Sequence, residues 1–479
     1  MDGDRVLVVD LDGTLLRSDM LMESFWSAVA RDWRMPVRAG LALLRGGRAG
    51  LKALLAEAGP VDVAALPYDA GVLEHVGQWR AGGGRVALVT ASNQALAEAV
   101  AAHLGVFDEV HGSDSATNLK GARKAAFLRE RFGAGGFDYV GDSPADLPVW
   151  AEAGRAVTVT PRAGLRRAVE AQAAERGAAV LHLPSTGVAP MAWLRALRPH
   201  QWLKNLLVFV PVLAAHQLTA PALGQSVLAF VVFCLVASSV YLLNDLLDLS
   251  ADRAHPRKRR RPLASGALPL WHGTWAAPVL LVAGLALALP LGREFLLVML
   301  GYYLATLAYS LALKRKLIMD ICLLAGLYTL RIAAGAAATG ISLSVWLLAF
   351  SIFIFFALAA VKRQAELVDG AATGTVQARG RGYEVGDLPL ISTIAIASGY
   401  ISVLVMALYI YSPEVRLLYA RPEALWGICL VLLYWISRTV MITHRGEMHD
   451  DPLVFAITDR GSVVCLLLMI GFTLAGTMG

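Results

Sequence analysis

The stretch Asn244-Asp245-Leu-Leu-Asp248-Leu-Ser-Ala-Asp252-Arg253-Ala-His255-Pro-Arg-Lys258-Arg-Arg-Arg261-Pro-Leu-Ala-Ser-Gly266 decides the fold. It follows an apolar run, Val227 to Leu243, that reads as a membrane helix. Asn244, Asp248 and Asp252 are spaced i, i+4, i+8 and share one face of a helix. Asp245 sits about 100° round from Asn244. Carboxylates beside hydrocarbon repel one another, and an unpaired one at the bilayer centre costs about 3 kcal/mol. A divalent cation removes both penalties. Hard carboxylate and amide oxygens suit Mg²⁺, which completes its shell with water and substrate phosphates. The basic run follows at once, so Arg253, His255, Lys258 and Arg261 join Asn244 as candidate substrate-binding residues. An ordinary solvated loop after a helix is the alternative. The coincidence of spacing, membrane edge and basic run favours the metal site.

The rest of the composition agrees with a membrane setting. The 479 residues are 57% hydrophobic and the mean hydropathy is +0.56, too apolar for a soluble protein. The net charge of +6 matters through its placement at the ends of apolar runs. The membrane is the expected partner, and nucleic acid is not. Cys234, Cys322, Cys429 and Cys465 lie in apolar runs without metal-ligand spacing and read as small core residues. The start, Met-Asp-Gly-Asp-Arg, has no signal-peptide pattern, so the first part is expected in the cytoplasm. Composition shifts near residue 190 from soluble patterns to long apolar runs.

Before that shift, Arg5 to Val9 is a run short enough for a buried parallel strand, ending in Asp10-Leu-Asp12-Gly13-Thr14. Arg85 to Val89 leads into Thr90-Ala-Ser92, and Phe137 to Val140 leads into Gly141-Asp142-Ser-Pro-Ala-Asp146. Polar residues at the carboxyl ends of such strands lie where open α/β sheets bind ligands. Ala156 to Thr160 is a further candidate strand. Strands alternating with helices predict a doubly wound α/β sheet.

These motifs, with Asn118-Leu-Lys120-Gly121 between them, resemble the haloacid dehalogenase (HAD) superfamily of phosphatases over about 160 residues. The resemblance implies that Asp10 is a nucleophile forming an aspartyl-phosphate and that Asp12 is the general acid and base. It implies that Thr90 and Lys120 bind the phosphoryl group, with Lys124 the weaker candidate for the lysine. Asp142, with Asp146, would join Asp10 on Mg²⁺. The chemistry agrees: a carboxylate attacks an anionic phosphoryl group only when cations screen the charge. In that superfamily an insertion at about residues 16–80 forms a helical cap. Here it contains helix-like Ser24 to Trp33 and Val37 to Ala58, with Arg31, Arg34, Arg38, Arg45, Arg48 and Lys52. A solvated basic face is the expected role, and contact with anionic lipid the alternative. The expected boundaries are 1–183 for this domain, 184–194 for a linker and 195–479 for the membrane domain.

The membrane domain shows nine apolar segments, centred near Pro211, Val236, Val282, Tyr303, Leu327, Phe353, Leu404, Leu430 and Leu468. The basic loops, Arg253 to Arg261, Lys314 to Lys316, Lys362-Arg363 with Arg379 and Arg381, and Arg445 with Arg460, fall on one side. The positive-inside rule places that side, with the N-terminal domain and the active sites, in the cytoplasm of a bacterial-type inner membrane. The same side carries Lys204, Tyr309, Lys314, Lys362-Arg363-Gln-Ala-Glu366 and Asp450-Asp451-Pro452. Several polar clusters on one side of a bundle favour a shared anionic-substrate pocket. For Lys204, reaching a phosphate and simple snorkelling stand level.

The spans and Asn244-Asp245-x-x-Asp248-x-x-x-Asp252 resemble the UbiA superfamily of intramembrane prenyltransferases. The resemblance implies an all-α nine-helix bundle and a Mg²⁺ site on Asp245, Asp248 and Asp252. A second aspartate-rich motif is usual after the sixth span, but here that place reads Lys362-Arg363-Gln-Ala-Glu366. Together with Arg198-Pro-His-Gln-Trp-Leu-Lys204-Asn205 and Asp450-Asp-Pro452, this is similar to the decaprenyl-phosphate phosphoribosyltransferase branch. That branch implies phosphoribosyl diphosphate and polyprenyl phosphate as substrates, with Lys204, Lys258, Lys362 and Arg363 on their phosphates. The HAD-like domain would then hydrolyse a phosphate, that of the product being one choice. The alternative is a UbiA-type enzyme using an isoprenoid diphosphate and an aromatic or other acceptor; a further rival is a transporter or scaffold. A homo-oligomer is left open.

Overall fold

The computed structural model describes residues 5–113, 118–185, 187–372, 374, 382–448 and 451–478. Arg379, Arg381 and Asp450 lie outside them, as does Thr186 of the expected linker, and the side chains of Arg48 and Glu414 are not described. The chain forms two compact units, Met1–Leu197 with Tyr241–Ala277, and Arg198–Val240 with Pro278–Gly479.

The first unit holds six parallel strands: β1 Val6–Val9, β2 Arg85–Asn93, β3 Glu109–Ser113, β4 Phe137–Gly141, β5 Arg155–Thr158 and β6 Ala179–His182. Their order is β3-β2-β1-β4-β5-β6. In β1 every side chain is buried, because helices cover both faces: Leu7 and Val9 enter one core, Val6 and Val8 the other. Strand order reverses beside β1, so the carboxyl ends of β1 and β4 flank the switch point where doubly wound sheets bind ligands. The edge strands β3 and β6 went unread in the sequence; they are only half-buried and lack a long apolar run. Between β1 and β2 lie helices Met20–Arg31, capped by Asp19, and Met35–Ala58, which bends at Gly47.

The aspartate-bearing segment belongs to this first unit. After the long helix Ala220–Leu247 the chain breaks at Asp248, resumes as Leu249–Ala254, and makes a 3-10 turn at Lys258–Arg260. Leu249, Leu263, Ala264 and Leu268 are buried.

The second unit is helical. Its cores are built from aromatic and aliphatic residues such as Tyr328, Phe355, Leu432 and Trp435, and Phe233, Phe295 and Tyr302. Across the described residues of the chain, seven stretches are long and apolar enough to cross a membrane, against the nine segments expected. The segments around Val282 and Tyr303 make one 42-residue run, Leu270–Leu311, turned at Leu289–Leu291. The segment around Pro211 is no long helix: Pro199–Phe209 is a 3-10 stretch and Val210–Ala214 one short turn. Pro199 and Pro211 supply no amide hydrogen there. The cysteines are free thiols; Cys234, Cys429 and Cys465 are buried, whereas Cys322 is exposed rather than a core residue.

Candidate active sites

At the end of β1, Asp10 meets a buried lysine. It is Lys124, not Lys120, whose Nζ donates to Asp10 Oδ1 at 2.7 Å and to the Tyr139 hydroxyl at 2.9 Å. The reason is helical phase. The helix Ala122–Phe132 starts just after Gly121, so Lys124 falls on its buried side while Lys120 precedes it, exposed. Asp10, Asp142 and Asp146 each present an oxygen within 4.8 Å of the others, the one such three-residue group among the described residues. Asp146 is held by Tyr139 Oη at 2.9 Å and by Ser143 N and Oγ at 3.1 Å. Gly13, at φ 76°, lets the β1 loop pass Asp142; a Cβ there would stand 2.7 Å from Asp142 Oδ2.

Burial sets the electrostatics of this cluster. It pushes Asp142 up to about 7, helped by the charges of Asp10 and Asp146. It raises Asp10 too, against the pull of Lys124. Asp12 is also raised to about 7, by burial and then by Asp19, although Ser92 Oγ donates to it at 2.5 Å and Met20 N at 2.7 Å. A carboxyl that titrates near neutrality suits a general acid. Thr90 is buried, and its hydroxyl accepts from Ser92 N at 3.0 Å. Of the cap cations, Arg31, Arg34, Arg38 and Arg45 are exposed. Lys52 instead donates to Ala91 O, between Thr90 and Ser92, at 2.6 Å. The acids crowd one lysine, so a divalent cation fits this oxygen set.

In the aspartate segment, the residues that converge are Asp245 and Asp252. Both are buried, and both accept from Arg261 Nη1, at 3.0 and 2.6 Å. Seven residues are two helical turns less about 20°. That spacing survives the break at Asp248, which is half-buried, as is Asn244. Burial raises Asp252, against the charge of Arg261. A cation position between two carboxylates therefore exists, and Arg261 fills it. Two expected phosphate ligands are already engaged by protein groups. Arg261 is engaged by these acids, and Arg253 is spread over Glu23 and the Ala264 carbonyl. His255 accepts from the backbone of Arg257 and Lys258, and Lys258 is exposed.

In the second unit, Lys204 and Lys362 donate to the same oxygen, Asp451 Oδ2, at 2.7 and 2.8 Å. Burial would raise the Asp451 carboxyl, but Lys362 and Lys204 hold it well below the usual carboxylate range. Lys204 also stands 5.7 Å from the Tyr328 ring centre. So Lys204 neither snorkels nor projects freely; it is clamped. Arg363, expected on a phosphate, is fully buried and pairs with Asp320 at 2.8 Å and with Glu366. Tyr383 Oη donates to Asp320 at 2.5 Å. The place of the missing carboxylate motif thus holds a buried, paired arginine. Tyr309 lies in the last turn of the helix Gly292–Leu311 and Lys314 sits in the following 3-10 turn, both half-buried.

Several residues gained roles that the sequence had not assigned. Arg331, buried in Met319–Thr339, donates to Asn205 Oδ1 at 3.0 Å and Tyr302 Oη at 2.8 Å. Its signal was there: one arginine amid the apolar residues that follow Asp320 in that span. Asp451 and Glu23 carried no signal of partner choice, because their partners are distant in sequence.

Comparison with known proteins fits these two chemistries. The UbiA prenyltransferase family matches residues 205–457, and the haloacid dehalogenase-like hydrolases match residues 7–151. Uncharacterized protein y4nM of Sinorhizobium fredii is 39% identical over 459 residues, 95% of this chain and 88% of that protein. Nodulation protein NoeC of Azorhizobium caulinodans is 39% identical over 277 residues, 58% of this chain and 90% of that protein. Decaprenyl-phosphate phosphoribosyltransferase of Mycolicibacterium smegmatis is 42% identical over 186 residues, 38% of this chain and 58% of that enzyme. The chain therefore belongs to the UbiA prenyltransferase family and carries a HAD-like hydrolase domain ahead of its membrane-spanning helices.

Proposed function

We propose that the membrane part transfers 5-phosphoribosyl from phosphoribosyl diphosphate to a polyprenyl phosphate, and that the HAD-like domain removes the 5-phosphate of that product. The observation that carries the transfer reading is the pair Lys204 and Lys362 on one oxygen of Asp451. Two ammonium groups against one carboxylate leave a positive charge within the triad. A phosphate-bearing acceptor offsets that charge; an aromatic acceptor does not. The partial match to decaprenyl-phosphate phosphoribosyltransferase supports the same reading.

In the proposed transfer, Asp245, Asp248 and Asp252 would hold Mg²⁺, with Arg261 giving up its place between Asp245 and Asp252. The metal would supply charge for the leaving diphosphate. The lipid phosphate oxygen bonds to the ribose anomeric carbon as the bond to diphosphate breaks, and the electron pair leaves with diphosphate. Lys204 and Lys362 bind phosphate, and Lys258 remains a candidate. In the proposed hydrolysis, Asp10 attacks phosphorus and the ester oxygen leaves with the proton of Asp12. Water, deprotonated by Asp12, then releases inorganic phosphate from Asp10. Lys124 takes the role first given to Lys120, and Thr90 would bind a phosphoryl oxygen. Asp10, Asp142 and Asp146 would hold Mg²⁺ there. The basic loops support a cytoplasmic setting for both reactions.

The test is to incubate purified protein with phosphoribosyl diphosphate, polyprenyl phosphate and Mg²⁺ and weigh the lipid products by mass spectrometry. Polyprenyl phosphoribose, with or without its 5-phosphate, is the expected product. Turnover of an isoprenoid diphosphate alone would replace this reading by the ordinary prenyltransferase one.

A further inference from the structure

Glu23 belongs by sequence to the cap of the hydrolase domain, yet its carboxylate is spent on the aspartate segment of the transferase. Arg253 Nη1 donates to Glu23 Oε2 at 2.9 Å and Nη2 to Oε1 at 2.7 Å. The pair is almost wholly buried, Glu23 at 3% and Arg253 at 7% side-chain exposure. Ser18 Oγ donates a further hydrogen bond to Glu23. Such a fork-on-fork pair fixes direction as well as distance.

The location of Arg253 gives the pair its meaning. It follows Asp252 directly, and its Nε donates to the Ala264 carbonyl at 2.9 Å. One guanidinium thus ties together both ends of the basic loop that carries Lys258 to Arg261. Arg261, inside that loop, is the residue bound to Asp245 and Asp252. Two neighbouring contacts hold the same surfaces together. Trp26 Nε1 donates to Thr274 Oγ1 at 2.9 Å, and Gly266 packs so closely on Arg17 that a Cβ would stand 2.7 Å from its carbonyl oxygen. A segment with its own helix of six residues has little intrinsic stability, so its geometry comes from such contacts.

We propose that Glu23 is a positioning residue for the transferase: through Arg253 it sets the loop that presents Asp245, Asp248 and Asp252 to metal and donor. The hydrolase domain is then a structural part of the transferase site as well as a second enzyme. The inference rests on the reading of that segment as the donor and metal site, and the experiment below separates the two.

The experiment uses the full chain in nanodiscs, as wild type, Glu23→Gln, Arg253→Lys and the charge-swapped double variant Glu23→Arg with Arg253→Glu. Removing an outer-shell partner of a metal site costs about 10- to 100-fold in metal affinity or activity. Glu23→Gln is therefore expected to raise the Mg²⁺ requirement and donor KM of transfer at least about tenfold. Its hydrolysis of a soluble phosphate ester should stay within about twofold of wild type. Amide hydrogen exchange over 249–266 should speed up in Glu23→Gln while the strands of the sheet keep their protection. Arg253→Lys, which keeps charge but loses the fork, should fall between. The swapped variant should recover protection of 249–266 and part of the transfer.

Unchanged exchange over 249–266, or an unchanged Mg²⁺ and donor dependence, overturns the proposal. So does equal loss of both activities with general loss of protection and no recovery on swapping, because the pair is then only part of the fold. If wild type uses a different donor, the donor reading fails alone. Exchange and the Mg²⁺ dependence with that donor still decide the role of Glu23.

Discussion

Three carboxylates, Asp10, Asp142 and Asp146, face the one buried lysine Lys124 at the end of β1, whereas two lysines face the one carboxylate of Asp451. Residues of the same type, both withdrawn from water, respond in opposite directions. Asp142 is pushed up to about 7 by burial and by its acidic neighbours. Asp451 stays well below the usual range because two ammonium groups outweigh its burial. On the proposed function, the sign of the local imbalance favours a cation at the first place and an anion at the second. The aspartate segment falls between, since Asp245 and Asp252 share Arg261 and keep one surplus negative charge among the three.

The comparison breaks most visibly at Asp10. Asp10→Asn removes the proposed nucleophile and should lower phosphate-ester hydrolysis by at least about 1000-fold. Transfer should be unaffected, so the variant accumulates the 5-phosphorylated lipid that wild type dephosphorylates. Mass spectrometry resolves the two products by one phosphate. The same phosphorylated lipid from both proteins at the same rate would assign the hydrolase to another substrate.

The intermediate case comes next. Asp248→Asn keeps size but loses a charged oxygen, and transfer should fall by about 100-fold, with EDTA abolishing it. Near-normal rates of diphosphate release in either condition would remove the metal from the membrane reaction.

The anion-binding side is probed by neighbours with different fates. Lys362→Ala removes one charge-assisted hydrogen bond, worth about 2 kcal/mol, so the KM for phosphoribosyl diphosphate should rise by roughly 30-fold. The loss should be larger than with any isoprenoid diphosphate. Arg363→Ala should instead lower the unfolding temperature, because it strands Asp320 in a buried site where breaking a pair costs about 3–5 kcal/mol. Thermal unfolding and donor kinetics on both variants separate binding from packing. A normal melting temperature in Arg363→Ala with a raised donor KM would return Arg363 to the substrate.

How much of this could be read from the chain follows the range of the interaction. β1, β2 and β4 were legible because short apolar runs end in polar loops, and Asp10 and Asp142 were legible with them. Choosing Lys124 over Lys120 needed the start of a helix at Ala122, a matter of one or two residues that pattern alone does not fix. In the aspartate segment, too, packing adds what spacing alone does not give. The i, i+4 spacing selected Asn244, Asp248 and Asp252, while the fold gathers Asp245 and Asp252 on Arg261. Arg253 looked like a free cation because its partner Glu23 lies 230 positions away, and of the two partners of Arg363 only Glu366 is near in sequence, Asp320 being 43 positions away. A basic run reveals charge, and only tertiary packing reveals which charges are already spent.

The smallest expected effect is a pH dependence, and its sign follows from the raised carboxyls. Asp12 and Asp142 titrate near 7 in the folded, metal-free protein, against the ordinary carboxylate range in the unfolded chain. Between about pH 4 and pH 7 the unfolded chain has released these protons while the folded domain keeps them. Stability is therefore full below the unfolded values and is lost as pH rises toward 7. Mg²⁺ acts in the opposite direction, since it requires Asp142 ionised and must displace its proton at lower pH. Its apparent affinity should fall by up to about tenfold per pH unit below 7 for each proton displaced, and level off above. The measurement is the unfolding temperature of the detergent-solubilised protein with and without Mg²⁺ from pH 5 to 8. The Mg²⁺-dependent gain should grow with pH and flatten near 7 to 7.5. Asp142→Asn, with no proton to displace, should lose most of the gain and its pH dependence together. A gain that is constant from pH 5 to 8 would mean that Asp142 stays ionised throughout. The surplus of acid at the end of β1 would then be offset by something other than a bound proton.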